Sequence, residues 1–284
     1  MGGYLLRLAI PNKGRLYEPS VAMLEKAGMS LIGAGRMLVC RTCDPEVSVL
    51  FVRAEDIPRY VEVGSADLGI TGKDLIEERG AKVAVLSELD YGKCRVVLAA
   101  PKGSAKVIKG KRIATKLPNL TRKYLRKKGV SAQIIEVSGA TEIAPYMGIA
   151  DMIVDQVETG LTLETNSLEI VDEIMASNAC LIANKRSIVA KKDQIMEIKL
   201  AFDGIMSAKR KKYLMANVTS RAILEKAVKV IPAMESPTVL QLAKEGEYAV
   251  HAVVDERDLG KIIRRLKEVG AKDILVLGME RVIP

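Results

Sequence analysis

Short apolar runs recur along this chain at intervals that a helix can fill, and this alternation limits the fold more than any other feature. LRLAIP, VSVLFVR, ADLGITG, KVAVLSEL, CRVVLAAP, RIATKL, QIIEVS and IADMIVD all have strand length and strand composition. Amphipathic or capped stretches lie between many of them. Residues 16–27 put Leu16, Ala22, Met23 and Ala27 broadly on one face. DIPRYVEVG closes at Gly64, KDLIEERG closes at Gly80, and a long helix covers roughly 191–208. MLVCRTC adds a strand, parted from VSVLFVR by the turn residues Asp44 and Pro45. Such alternation predicts an α/β fold. With 49% hydrophobic residues, 4% aromatics and no Trp, the core must be aliphatic. No run approaches the ~20 apolar residues of a membrane span.

The pattern changes around SAKRKKYL. YLMANV, SRAILEKAVKVI, SPTVLQL, YAVHAVV, ERDLGKIIRRLKEVG and KDILVLG read in the order βαββαβ. That is the ferredoxin-like arrangement of many small regulatory domains, so a boundary is expected near residue 207.

A net charge of +9 and a pI near 9.3 favour anionic partners. The scarcity of aromatics argues against nucleic-acid stacking surfaces and leaves phosphorylated small molecules. The basic helix TRKYLRKKG reads as a solvated face, with Tyr124 turned toward the core. The apolar start YLLRLAIP is interrupted by Arg7 and lacks a small-residue cleavage site, so no export signal is expected. The four cysteines include one CxxC, Cys40 and Cys43, without a second pair; reduced thiols in a cytoplasmic protein are the simpler reading than zinc. The single histidine, His251, lies in the C-terminal region, away from the motifs below. The twelve methionines read as core filler.

The segment ADMIVDQVETGLTLETNSL carries the clearest chemistry. A buried strand delivers Asp155, an acceptor-only carboxylate suited to a pair of ribose hydroxyls. Thr159 and Thr162 then supply hydroxyls around Gly160, which lets backbone approach a ligand. The following N–H groups open a short helix and could cradle a phosphate. A plain strand-to-helix turn capped by Thr159 or Thr162 explains the same residues equally well.

Beyond this segment, the chain resembles the ATP phosphoribosyltransferases, which open histidine biosynthesis. Glu142, Gly148, Ala150, Ile153, Asp155, Thr159, Gly160, Thr162 and Leu163 stand at the spacing of that family's signature. Gln156 departs from it, where an aliphatic residue is usual, and could hydrogen-bond across the site. LRLAIPNKGRL, RAEDIPRYVEVGSADLGITGKDLI and GKCRVVLA match further blocks, and the C-terminal VHAVVDERD…LKEVGAKDILVLGMERVI looks like the regulatory domain of the long form.

The resemblance implies a two-lobed catalytic unit like the type II periplasmic binding proteins. Lobe I would comprise 1–99 and 177–206, lobe II 100–176 with the phosphoribosyl loop, and the regulatory domain 207–284. It implies transfer of the phosphoribosyl group of phosphoribosyl pyrophosphate (PRPP) to N1 of ATP, with histidine as feedback inhibitor and AMP left open as a further ligand. Asp155 would be catalytic, and Asp155, Glu158, Thr159, Gly160, Leu161 and Thr162 would hold PRPP. Arg15 and Arg53 would serve ATP, ahead of Lys13, Lys93 and Arg95. Asp74, following ITGK, is a further ATP candidate from its position alone, and an acid meeting the dipole at a helix start explains it equally well. Asn217, Thr238 and Ala271 would receive histidine. Mg2+ is expected on the substrate pyrophosphate, with no protein metal cage. Dimers and hexamers of the chain are expected, in the cytoplasm, with neither nucleic acid nor membrane as partner. A solute-binding protein of the same lobed fold and a nucleic-acid binder are the rival readings.

Overall fold

The computed structural model describes residues 5–33, 38–104, 106–232 and 236–283; Tyr4 and Met37, at the starts of two of the apolar runs, lie outside them. The chain divides into two compact units, 1–199 and 200–284.

The first unit holds two sheets. In chain order it begins with β1 (Leu6–Pro11), α1 (Tyr17–Lys26), β2 (Leu31–Ile32), β3 (Val39–Thr42), β4 (Val47–Val52), α2 (Ile57–Val63), β5 (Leu68–Gly72), α3 (Lys73–Arg79) and β6 (Ala84–Glu88). The chain then crosses to the second sheet through β7 (Cys94–Pro101), β8 (Arg112–Thr115), α4 (Pro118–Lys128), β9 (Gln133–Glu136), β10 (Met152–Val157), α5 (Leu161–Thr165) and β11 (Leu168–Ser177). It returns as β12 (Ala179–Ala183), followed by α6 (Lys185–Ala190) and α7 (Lys192–Ala208).

The first sheet has the order β2-β3-β4-β1-β5-β12-β6 and the second β11-β7-β10-β8-β9. Both share one plan. A first strand (β1 or β8) lies between the second (β4 or β9) and third (β5 or β10), and the next place is taken by a strand arriving from the other lobe. That arriving strand, β12 or β7, runs antiparallel to its neighbour β5 or β10. This is the two-lobed architecture that the family resemblance implies. Strands covered on both faces read as continuous apolar runs: every residue of β5 and β12 is buried.

One boundary shifts from the sequence reading. The split at 99/100 would cut through β7, which belongs wholly to lobe II. Val96, Leu98 and Ala100 feed one core cluster there, and Val97 and Ala99 feed another. A strand apolar on both faces needs a sheet covered on both sides, which the second sheet provides: Leu120, Tyr124 and Leu125 of α4 pack into one of these clusters and Leu163 of α5 into the other. The compact units themselves divide inside α7, at 199/200, a few residues before the boundary expected near 207. The last turns of α7 belong to the second unit, where Gly204 O accepts from Val282 N at 3.0 Å. A continuous helix gives no compositional sign of such a division.

The second unit adds β13 (Lys211–Val218), α8 (Arg221–Val230), β14 (Thr238–Gln241), β15 (Tyr248–Asp255), α9 (Leu259–Glu268) and β16 (Lys272–Gly278). Its sheet order, β14-β15-β13-β16, has every paired neighbour antiparallel, the ferredoxin-like arrangement. Leu214, Ala216 and Val218 alternate toward a core shared with Ile262 and Leu266 of α9 and Ala227 of α8.

Candidate active site

A cleft of about 800 Å³ opens between the two lobes of the first unit. One wall is built by the turn after β1, the end of β4 and helix α3. The other is built by the ends of β8, β9 and β10 and the start of α4. Strand ends are where an α/β sheet leaves side chains free for ligands.

Asp155 reaches this cleft from β10. Its even-numbered neighbours Met152 and Val154 face one core and Ile153 and Val157 the other, so the acid replaces a core residue at the strand's end. Burial pushes the Asp155 carboxyl above its ordinary value, against the pull of Lys116, the Gln156 N–H and Thr141. Gln156 N donates to Asp155 Oδ1 at 2.8 Å. Thr141 is close enough to ease ionisation, yet its buried Oγ1 completes no full hydrogen bond. Asp155 is therefore a partly desolvated acceptor that the protein leaves under-partnered. Lys116, not singled out by sequence, follows β8, the parallel neighbour of β10.

After Asp155 the chain enters the loop through Glu158, which also lines the cleft. Thr159 and Thr162 are solvent-exposed, and Leu161 is 67% exposed. Gly160 has φ 91°, a conformation that favours glycine, and it turns the chain into α5. Thr159 Oγ1 accepts from Leu161 N at 3.4 Å, so the turn caps itself while the next N–H groups of the first helical turn lack an i−4 partner.

On the opposite wall, Arg15 and Arg53 both line the cleft with Lys13. Lys13 and Arg53 have no carboxylate partner among the described residues, and the buried Arg15 Nε has no acceptor. Arg79 and Arg122 also line the cleft, but are committed to Asp56 and Glu136 at 3.2 and 3.0 Å. Lys93 and Arg95 lie elsewhere, around a second hollow near the lobe crossings.

Asp74 does not stand at the cleft surface where a nucleotide ligand would be expected. It is fully buried, and its carboxylate receives hydrogen bonds from Ser177 Oγ (2.6 Å) and from Gln156 Nε2, with Arg15 Nη2 at 3.7 Å. Gly72 allows this fit: a Cβ there would come within 2.3 Å of Asp74 Oδ1. A second carboxylate of α3, Glu78, is also buried and accepts from Asn119 N (3.1 Å) and Leu120 N (2.8 Å), capping α4 across the lobe boundary. Neither Ser177 nor Glu78 had a signal in the sequence, because each is defined by a partner 41 or more residues away.

In the second unit, Asn217 and Ala271 lie near one another, since Asn217 pairs with Lys272. Asn217 Nδ2 donates to Asp273 Oδ2 at 3.2 Å, and its buried Oδ1 has no partner. Thr238 lies two strands away, on exposed β14 opposite His251. Ala271 is buried in the helix-side core. The nominated trio therefore does not converge on one point.

Among the described residues no three His, Cys, Asp or Glu side chains gather as a metal cage, and no helix is long and apolar enough to cross a membrane.

A family model described as ATP phosphoribosyltransferase matches residues 53–204, and a second, described as HisG, C-terminal domain, matches 208–281. ATP phosphoribosyltransferase from Methanosarcina mazei is 47% identical over 99% of this chain and 100% of its own length. The enzyme from Methanothermobacter thermautotrophicus is 44% identical over 98% and 99%. Among solved structures, a chain of the ATP phosphoribosyl transferase (HisG:HisZ) complex from Thermotoga maritima superposes with a TM-score of 0.63 at 35% identity. It covers 70% of this chain and 98% of its own.

Proposed function

Because the chain belongs to the ATP phosphoribosyltransferase family, a glycosyltransferase-type enzyme of histidine biosynthesis, we propose that its cleft joins ATP to PRPP directly. Adenine N1 bonds to C1′ of PRPP as the C1′–O bond breaks, and the electron pair leaves with pyrophosphate. The product is N1-(5-phosphoribosyl)-ATP. The observation that carries this reading is the pairing of opposite needs across one cleft. An under-partnered acceptor, Asp155, meets ribose hydroxyls, while the cleft-lining Lys13, Arg15 and Arg53 meet polyphosphate.

Asp155 holds the ribose. Glu158, Thr159, Gly160, Leu161 and Thr162 shape the loop for the 5′-phosphate with hydroxyl and backbone donors. Lys116 adds positive charge beside the leaving group. Positive charge develops at C1′ in such a displacement, so alignment and a nearby carboxylate supply the catalysis, and no protein nucleophile is needed. Mg2+ enters as part of the polyphosphate substrates, held by their oxygens and water.

We further infer that histidine inhibits through the second unit, with Asn217, whose Oδ1 is free, as its first contact. Thr238, on the outer strand β14, and the core-buried Ala271 do not share that contact point. They enter the reading only as separate positions through which the same domain would respond to histidine. A cytoplasmic location and assembly into dimers and hexamers belong to it as well. AMP fits as a competitor for the ATP side of the cleft.

The test is an absorbance assay for phosphoribosyl-ATP with ATP, PRPP, Mg2+ and pyrophosphatase, with and without histidine. Product suppressed by histidine supports both readings. Product indifferent to histidine removes the regulatory one, and no product from folded protein removes the catalytic one. Thr238→Ala is expected to weaken inhibition and keep basal turnover; unchanged inhibition removes Thr238 from the histidine site.

A further inference from the structure

We propose that Gln156 and Asp74 are positioning residues: a latch between the lobes that fixes Arg15 of the nucleotide side relative to Asp155 of the phosphoribosyl side. The inference rests on the reading of the cleft given above.

A buried carboxylate is tolerated only when partners replace its water. Asp74 finds its partners in three separate places. Arg15 comes from the turn after β1, in its own lobe. Ser177 is the last residue of β11, just before the chain returns to lobe I; its hydroxyl donates to Asp74 Oδ1 at 2.6 Å and accepts from Asp74 N at 3.1 Å. Gln156 belongs to β10 of lobe II and donates through Nε2 to Asp74 Oδ2. The carboxylate is thus the meeting point of lobe I, lobe II and the crossing strand. Separating the lobes there would strip a buried charge of one donor.

Gln156 works at both ends. Its side chain reaches Asp74, and its backbone N–H holds Asp155 Oδ1 at 2.8 Å. One residue therefore links the two carboxylates. Asp74 in turn faces Arg15 Nη2 at 3.7 Å, and the Arg15 side chain itself lines the cleft. The chain from Asp155 through Gln156 and Asp74 to Arg15 sets how far apart the two substrates' binding groups lie.

Gln156→Leu keeps the bulk and removes the amide. The expected result is a KM for ATP raised about tenfold, as for loss of a hydrogen bond to a buried charge, with a smaller change in KM for PRPP. Faster amide exchange is expected in residues 73–76 and 175–177. Gln156→Glu sets two carboxylates face to face, and a shared proton can restore the bond. Its activity relative to wild type should rise as pH falls, which a purely structural side chain would not produce. The other titratable groups that face Asp74 are Arg15, Cys94 and Cys180; burial raises both thiols to about 11, so they keep their protons over that range.

Unchanged ATP KM, exchange and pH profile in both variants would overturn the latch. If wild type makes no phosphoribosyl-ATP, the cleft reading fails by itself, and the exchange measurement still decides whether Gln156 ties the lobes. Should Gln156→Leu not fold, the pH response of Gln156→Glu decides alone.

Discussion

The end of β10 and the start of α3 each bring an aspartate to the lobe boundary, and the two have opposite fates. Asp155 keeps spare acceptor capacity toward an 800 Å³ cleft. Asp74, fully buried, has committed its oxygens to Ser177, Gln156 and the nearby Arg15. Both were candidates for holding a sugar or nucleotide, and both are carboxylates near glycines. What separates them is how much bonding capacity the fold has already used. A carboxylate can meet a ligand only with the capacity that its own protein leaves over, and one that is fully used can act only through the groups it holds.

Removing the under-partnered acid should give the largest functional effect. Asp155→Asn is expected to lower kcat/KM by about 10²-fold or more, the scale of losing a preorganised electrostatic contact. Its effect on stability should have the opposite sign. Burial raises the carboxyl's pKa in the folded state, so its favourable contribution is complete below the unfolded value and is lost as pH climbs through the folded one. At neutral pH the variant should melt higher than wild type. A thermal scan beside the kinetic assay checks both; a lower Tm would mean that Asp155 is better partnered than its geometry indicates.

Asp67 gives the contrasting case of an acid used wholly for structure. It accepts from Lys191 Nζ (2.7 Å), Arg7 N (2.8 Å) and Ser187 Oγ (2.7 Å). Burial pushes its pKa up, but the Lys191, Arg7 and Ser187 bonds outweigh that and hold it below the ordinary value. Its stabilisation is therefore present above the unfolded pKa and is lost as pH falls through the depressed one. Asp67→Asn should cost about 3 kcal/mol at neutral pH by leaving the largely enclosed Lys191 ammonium without its counter-ion. It should also flatten the acid limb of a stability–pH curve and leave KM values unchanged. An unaltered acid limb would show that Asp67 does not titrate as its partners require.

These contrasts mark what the sequence could disclose. The strands and the Asp155 loop were legible because each is a local pattern: apolar alternation, a strand ending in an acid, a glycine between threonines. The βαββαβ order was legible for the same reason. The lobed plan came from the family resemblance and not from periodicity. The strand β7 was misplaced because a run apolar on both faces declares burial without saying in which sheet. Asp74 was assigned to a ligand because the sequence cannot show that Ser177, 103 residues away, has already engaged it. Gln156 could be marked as unusual, but its partner could not be found. The histidine trio scattered because Ala271 faces the core and Thr238 sits on the outer strand, a difference of face and strand order that only the folded sheet defines.

The contrast can be sharpened at smaller scale along α3, where neighbouring acids meet α4 in two ways. Glu77 pairs with Lys123 at 2.6 Å, with the two side chains 44% and 71% exposed. Glu78 is buried and takes the N–H groups of Asn119 and Leu120 at the start of α4, where the helix end favours negative charge. Glu78→Gln keeps an acceptor but loses the charge, and should cost about 1 kcal/mol. Lys123→Met removes an ion pair whose ends water already solvates, and should cost at most about 0.5 kcal/mol, less at high salt. Chemical denaturation of both variants at low and high salt measures the pair side by side. Equal losses would mean that helix α4 is held by charge at the surface and that the buried cap adds nothing. The expected inequality would put the lobe contact where solvent is excluded, on the same helix and the same side of the cleft as Asp74.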